Sequence, residues 1–350
     1  MSDAFRVGLT GDFLKSDGTL AFEDIGTSLL DAAPEVTWDF LKLKQHTPAL
    51  DPEQVLGYDA VLVLGARVTA ETVAHAERLA IVARFGVGYD SVDVDACTRA
   101  GVALTITPDG VRRPVASSVI AYVLALSLRM LDKDHLIRAG RWADRQDAMG
   151  VGLIGRTLGV IGMGNIGREI FTLARPFGMC HLVFDPYVTP EQAAEVGAVS
   201  TDLDTLLETS DFVSVNCPLN GETHHLLDAR RLRQMRSTAY LINTARGPIV
   251  DQAALTEVLR EGRIAGAALD VFEQEPIDPH DPILSLDNVI LAPHAICWTD
   301  QCFRENGLSA CRSILEVAAG RPPRYVVNRE VLDSKRFRDK LARLSARAAS

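Results

Sequence analysis

The run Gly162-Met163-Gly164-Asn165-Ile166-Gly167 constrains the fold of this chain more than any other feature, because of what flanks it. An apolar segment of strand length, Thr157 to Ile161, precedes it, and a helix pattern from Arg168 to Arg175 follows and stops at Pro176 and Gly178. A second apolar run, Cys180 to Phe184, then delivers Asp185, 185 − 162 = 23 positions past the first glycine. That is the spacing of a βαβ unit built around a dinucleotide. The first glycine permits a tight turn, the second lets backbone amides approach a pyrophosphate, and the third lets helix pack on strand. Free N–H groups and the dipole at the helix N-terminus favour the phosphate charge. A carboxylate ending the second strand suits an adenosine ribose with free hydroxyls. A 2′-phosphate facing Asp185 would cost about 4 kcal/mol per charge pair at ~4 Å and an effective dielectric of roughly 20. Pro186-Tyr187-Val188 offers no arginine to receive it. The sequence therefore predicts NAD, not NADP, as cofactor.

Around this unit, strand-like and helix-like segments alternate from end to end, which predicts α/β architecture with parallel sheets covered by helices. At 350 residues the chain has room for two domains. Strands are expected at 6–9, 38–41, 60–64, 80–85 and 102–106, with helices at 69–75 and 93–100 between them. A break at Pro108-Asp109-Gly110 leads into a long apolar helix from about 114 to 131. After the glycine loop come strands at 212–215, 239–243, 264–269 and 289–291, helices at 228–235 and 252–261, and a last long helix at 299–319. The expected arrangement is two doubly wound parallel-sheet domains, a Rossmann nucleotide domain inserted into a flavodoxin-like one. Residues 109–297 form the NAD-binding domain, and 1–108 with 298–350 form a discontinuous substrate-binding domain. Hinge crossings near 108–112 and 294–300 follow, and a substrate is expected in the cleft between the domains.

Composition narrows the partners. A formal net charge of −10 argues against nucleic acid or an anionic membrane surface. The segment Met1-Ser2-Asp3-Ala4-Phe5-Arg6 lacks the pattern of a signal peptide, and the apolar stretch from Val115 to Leu128 is too short to span a bilayer. Six cysteines without paired spacing predict reduced, mostly buried thiols in the cytoplasm. His224 and His225 are adjacent, so they are expected to diverge, and no metal site is predicted. The basic segment 335–347 reads as a solvated surface helix with no assigned function.

Three short motifs fall just past expected strand ends of the central domain: Asn243-Thr244-Ala245-Arg246-Gly247, Leu269-Asp270-Val271-Phe272-Glu273-Gln274-Glu275-Pro276, and Ala292-Pro293-His294-Ala295. Each alone is ordinary. Together they bring a cation, a carboxylate and an imidazole to the rim of a nicotinamide site, the parts that hydride transfer to a 2-keto acid requires. Arg246 can hold a substrate carboxylate and polarise a keto oxygen with its fixed fork of donors. His294 can exchange a proton with that oxygen, and Glu275 can accept the other imidazole N–H and fix the tautomer.

On these motifs, together with Arg84-Phe85-Gly86-Val87-Gly88-Tyr89-Asp90 and Asn216-Cys217-Pro218-Leu219, the chain resembles the D-isomer-specific 2-hydroxyacid dehydrogenases over nearly its whole length. The resemblance implies an NAD-dependent enzyme acting on a D-2-hydroxyacid or its 2-keto acid, with Arg246, Glu275 and His294 as the catalytic set. It implies cofactor contacts at Gly162, Gly164, Asn165, Ile166, Gly167, Asp185, Cys217, Pro218, Thr244, Ala245, Asp270 and His294. It places the substrate carboxylate on the backbone of Gly86, Val87 and Gly88, and a homodimer contact on the nucleotide domain. Arg67 is a further candidate for substrate contact. Departures from the family pattern lie at Ala295-Ile296-Cys297-Trp298, where small residues are common, and at Arg112 and Arg113. The two arginines are open to two readings, a second anionic group on the substrate or structural ion pairs. Formate-type and phosphite-type dehydrogenases, and an NAD(H)-sensing corepressor, are the competing readings.

Overall fold

The computed structural model describes residues 4–41 and 49–348. Met1, Ser2 and Asp3 of the N-terminal segment lie outside the described residues. The chain divides into two units, Met1–Val111 with Trp298–Ser350, and Arg112–Cys297.

The first unit holds a sheet of β1 (Phe5–Leu9), β2 (Val36–Phe40), β3 (Ala60–Val63), β4 (Ile81–Arg84) and β5 (Ala103–Thr105) in the order β2-β1-β3-β4-β5. All neighbours are parallel. All four residues of β3 are buried, which marks a strand covered on both faces. Alternate side chains part to opposite faces. Val61, Val63, Val82 and Leu104 pack with Val55, Val73 and Cys97. Leu62, Ile81 and Ala83 pack with Phe303 and Ile314 of the helix Asp300–Ala318 and with Phe337 and Leu344 of the C-terminal helix Lys335–Ala348.

That C-terminal helix corrects the expectation of a solvated one. Lys335, Arg336, Arg338 and Arg343 are exposed, but Phe337, Leu341 and Leu344 recur at i, i+4 and i+7 and enter the core. Lys340 is only 4% exposed. Its Nζ donates to the carbonyls of Leu79 (2.6 Å) and Ala100 (2.9 Å).

The second unit carries seven parallel strands: β6 (Thr157–Ile161), β7 (Cys180–Phe184), β8 (Val199–Ser200), β9 (Phe212–Val215), β10 (Tyr240–Asn243), β11 (Gly266–Leu269) and β12 (Val289–Leu291). Their order is β12-β11-β10-β9-β6-β7-β8. One face packs Ile161, Val213 and Leu241 under Leu206, Leu255 and Val258. The other packs Val160, Phe212 and Ile242 under Val119, Val123, Ile170 and Phe171.

The long apolar helix runs Pro108–Ser127, six residues earlier at its start than expected, with Pro114 inside it. Pro114 is the seventh residue of the helix and has no N–H to donate to the Gly110 carbonyl, so the helix continues past it one i→i−4 hydrogen bond short. The helix ends where Arg129 turns left-handed (φ +49), and a second helix, Met130–Arg138, leaves at 56°. No single helix among the described residues is long and apolar enough to cross a membrane, although this bent pair passes by length and composition together. None of the six cysteines forms a disulfide among the described residues, but only Cys97, Cys302 and Cys311 are buried, fewer than expected.

Candidate active site

In the second unit the strand order reverses between β6 and β9, and the loops leaving their carboxyl ends diverge there. The glycine loop sits at that point. Gly162 has φ +94, and a Cβ on it would lie 2.7 Å from the Cys217 amide nitrogen, so only glycine lets the loop press against the exit of β9. A Cβ on Gly167 would strike the Gly162 carbonyl. Gly164, which precedes the helix Asn165–Ala174, faces open space, where a ligand can come close to backbone amides.

Asp185 ends β7. Its Oδ2 accepts from the Met163 N–H (2.8 Å) and its Oδ1 from the Tyr187 N–H (2.9 Å). Two backbone donors fix the carboxylate, and each oxygen retains acceptor capacity. Cys217 is half-buried, and burial, with help from the Asp185 charge, pushes its thiol up to about 11. Pro218 beside it is exposed. The Thr244 hydroxyl and Asn216 Oδ1, past the neighbouring strands β10 and β9, are buried without a hydrogen-bond partner among the described residues. Orphaned polar atoms beside an open glycine face fit a polar ligand such as a dinucleotide.

Arg246 follows β10 in a turn wrapped by Asn243. The Asn243 Oδ1 accepts from the Ala245 N–H (3.0 Å) and its Nδ2 donates to the Arg246 carbonyl (2.9 Å). A Cβ on Gly247 would overlap the backbone of Phe272, so this turn lies directly on the segment that leaves β11.

Glu275 belongs to that segment. Its Oε1 accepts from the Phe272 N–H (3.0 Å), and its Oε2 lies 2.7 Å from His294 Nδ1. Nε2 is then the ring nitrogen left to meet a ligand. Burial works against the Glu275 carboxylate. Hydrogen bonds from His294 and Phe272, with the charges of His294 and Arg246, outweigh it and hold the carboxyl below its usual range.

His294 itself is left-handed (φ +54), a conformation that costs about 1–3 kcal/mol and gathers at functional sites. The turn is held by Asp270, whose Oδ1 accepts from the Ala295 (2.8 Å) and Ile296 (3.0 Å) amides. Burial raises the Asp270 carboxyl, against the pull of those two amides. Asp270 thus supports the backbone under the imidazole.

Arg67 and the Gly86–Val87–Gly88 segment belong to the first unit. Arg67 is exposed, with its carbonyl accepting from the Leu50 N–H (2.8 Å). Arg112 and Arg113 both reach Glu169 on the glycine-loop helix, at 3.5 and 2.5 Å, so each is engaged in an ion pair within the second unit.

A second imidazole–carboxylate pair escaped the sequence reading. His225 Nε2 meets Glu273 Oε1, two residues before Glu275. His224 and His225 do not diverge: their rings stack at 4.2 Å, because His225 is left-handed (φ +48). The signal available was the glutamate pair in Glu273-Gln274-Glu275. Gln252 was missed as well; its Oε1 accepts from the Glu273 N–H (3.0 Å) and it lies too far away in sequence to be paired by spacing. No metal-holding cluster occurs among the described residues.

Residues 120–295 match the family model of the D-isomer specific 2-hydroxyacid dehydrogenase, NAD binding domain. A glyoxylate reductase of Korarchaeum cryptofilum is 40% identical over 284 residues, covering 80% of this chain and 86% of that protein. Another, of Thermofilum pendens, is 41% identical over 283 residues, covering 78% and 82%. The crystal structure of a glyoxylate reductase from Paecilomyes thermophila superposes with a TM-score of 0.79 at 27% identity, covering 93% of this chain and 99% of that one. The chain belongs to the D-isomer-specific 2-hydroxyacid dehydrogenase family and is an NAD-dependent oxidoreductase acting on the CH–OH group of 2-hydroxyacids.

Proposed function

We propose that this enzyme reduces a small 2-keto acid to its D-2-hydroxyacid, with His294 as proton donor, Glu275 as the group that orients it, and Arg246 on the substrate carboxylate and keto oxygen. The carrying observation is the 2.7 Å contact of His294 Nδ1 with Glu275 Oε2, while a backbone amide fixes the other oxygen of that carboxylate. An acid-supported imidazole whose Nε2 is left for the ligand can pass one proton to a developing alkoxide. In the reverse direction it takes the hydroxyl proton. Arg246 lends a planar fork of N–H donors that matches a carboxylate. NADH, when bound, supplies the hydride. The glycine loop, Asn165 and Ile166 are assigned to its pyrophosphate, and Asp185 to its adenosine ribose. Cys217, Pro218, Thr244, Ala245 and Asp270 are assigned to the rest of the cofactor. Asp185 favours NAD over NADP by the charge argument given above. The Gly86–Val87–Gly88 backbone and Arg67 are assigned to the substrate.

The glyoxylate reductases that share about 40% identity make glyoxylate the first substrate to try. Oxidation of NADH is to be followed with glyoxylate, pyruvate, hydroxypyruvate and 2-ketoglutarate. Turnover of at least one is expected, and inactivity on all four would remove the 2-keto acid reading. We also assign a homodimer surface to the second unit, on the strength of the exposed Met130, Ile137, Trp142, Met149 and Ile154 along one stretch of chain. Trp142→Asp should lower the mass seen by light scattering from that of a dimer to that of a monomer. A reducing cytoplasm suits the six free cysteines.

A further inference from the structure

The Gly86–Val87–Gly88 segment leaves β4 above a buried polar chain in which each proton has one direction to go. The Gly86 N–H donates to Thr107 Oγ1 (2.8 Å), and the Thr107 N–H returns a bond to the Gly86 carbonyl (2.9 Å). The Thr107 hydroxyl, already an acceptor, gives its single proton to Asn306 Oδ1. The Asn306 amide group then donates to the Cys302 carbonyl (2.9 Å), one turn earlier on the helix Asp300–Ala318. Thr107 is 1% exposed and Asn306 3%, so both lie out of reach of bulk solvent. A Cβ on Gly110 would lie 2.7 Å from the Asn306 Cα, so the chain beyond Thr107 is pressed onto the same residue. One turn away Phe303 holds Phe85, ring centroids 5.3 Å apart. A single helix edge thus meets the approach to the loop with an aromatic contact and reaches its first glycine through Thr107.

Gly86 is left as a pivot. Its N–H and C=O are both spent, and its φ of +128 turns the next peptide out of the sheet. The Val87 and Gly88 amides make no hydrogen bond to the described residues. A buried asparagine is costly unless it is satisfied, and here its satisfaction runs through the one residue that aims those amides. We propose that Asn306, acting through Thr107, is a positioning residue for recognition of the substrate carboxylate. This rests on the assignment of that carboxylate to the Gly86–Val87–Gly88 backbone.

The test uses the full-length enzyme with Thr107→Val, Thr107→Ser and Asn306→Leu. For each, KM for glyoxylate, KM for NADH and the competitive inhibition constant of oxamate against glyoxylate are measured. Oxamate carries the carboxylate but cannot accept hydride, so it reports recognition apart from chemistry. Thr107→Val and Asn306→Leu should raise the oxamate constant and the KM for glyoxylate about ten- to a hundredfold, as for a lost buried hydrogen bond. Turnover should stay within about threefold, the KM for NADH should hold, and Thr107→Ser should behave as the parent. A folded Thr107→Val enzyme with an unchanged oxamate constant would overturn the proposal, as would equal losses for oxamate and NADH. Should Asn306→Leu not fold, the valine–serine pair at Thr107 decides alone. A parent enzyme that neither turns over glyoxylate nor binds oxamate overturns the carboxylate assignment itself and this proposal with it.

Discussion

His294 shows how much support surrounds the one side chain to which proton transfer is assigned. Its ring is held by Glu275, the backbone beyond it by Asp270, and its own φ is left-handed. Glu275 gives a pH prediction with a definite sign. Its folded-state pKa is depressed below an unfolded value of about 4.3, so the folded protein binds fewer protons. The stabilisation from this group is complete above that pH and lost as pH falls through the lower folded value. In urea denaturation the parent's advantage over Glu275→Gln should be present well above about pH 4.3 and shrink as pH falls below it. A gap that widens in acid would contradict the assignment. At Asp185, replacement by alanine removes the negative charge that opposes a 2′-phosphate. The ratio of kcat/KM for NADH over NADPH should drop by about tenfold or more, and an unchanged ratio would show that the carboxylate does not choose the cofactor.

Among the elements, those with a strong period or a special residue were legible. The βαβ unit was readable because Gly162, Gly164, Gly167 and Asp185 answer separate steric or polar demands, each visible in the backbone around them. The helix Asp300–Ala318 was readable because Thr299 caps it, its Oγ1 accepting from the Cys302 N–H (3.1 Å). The start of Pro108–Ser127 was not, since Pro114 reads as a boundary when only sequence is considered. The two-residue strand β8 escaped because so short a segment carries no period. The candidate site stood out as motifs, but the Thr107–Asn306 contact joins residues 199 positions apart and no spacing rule reaches it. Gly247→Ala would drive a methyl into the Phe272 backbone, and thermal unfolding should shift downward by several degrees, about the effect of 1–3 kcal/mol of overpacking. An unshifted Tm would show that the two turns are not in contact.

At the scale of the whole molecule, the chain leaves the first unit after Val111, builds the second, and returns at Trp298 to finish the first. The C-terminal helix is therefore a structural member of the first unit, and Lys340 is its buried anchor. Burial pulls the Lys340 ammonium down to about 8, against about 10.4 in an unfolded chain. Between those two values the unfolded state binds more protons, so this group makes stability rise with pH. The parent should gain stability on Lys340→Met as pH goes from 8 to 10, by about 3 kcal/mol at most, and a gap that moves the other way would show the ammonium to be favourably placed. The proton transfer assigned to the Glu275-supported imidazole of His294 is probed by His294→Asn assayed for turnover and for NADH binding together. Turnover should fall by about 10²–10⁴-fold while the Kd for NADH, read from its fluorescence, stays near that of the parent. Parental turnover in the variant would contradict the account.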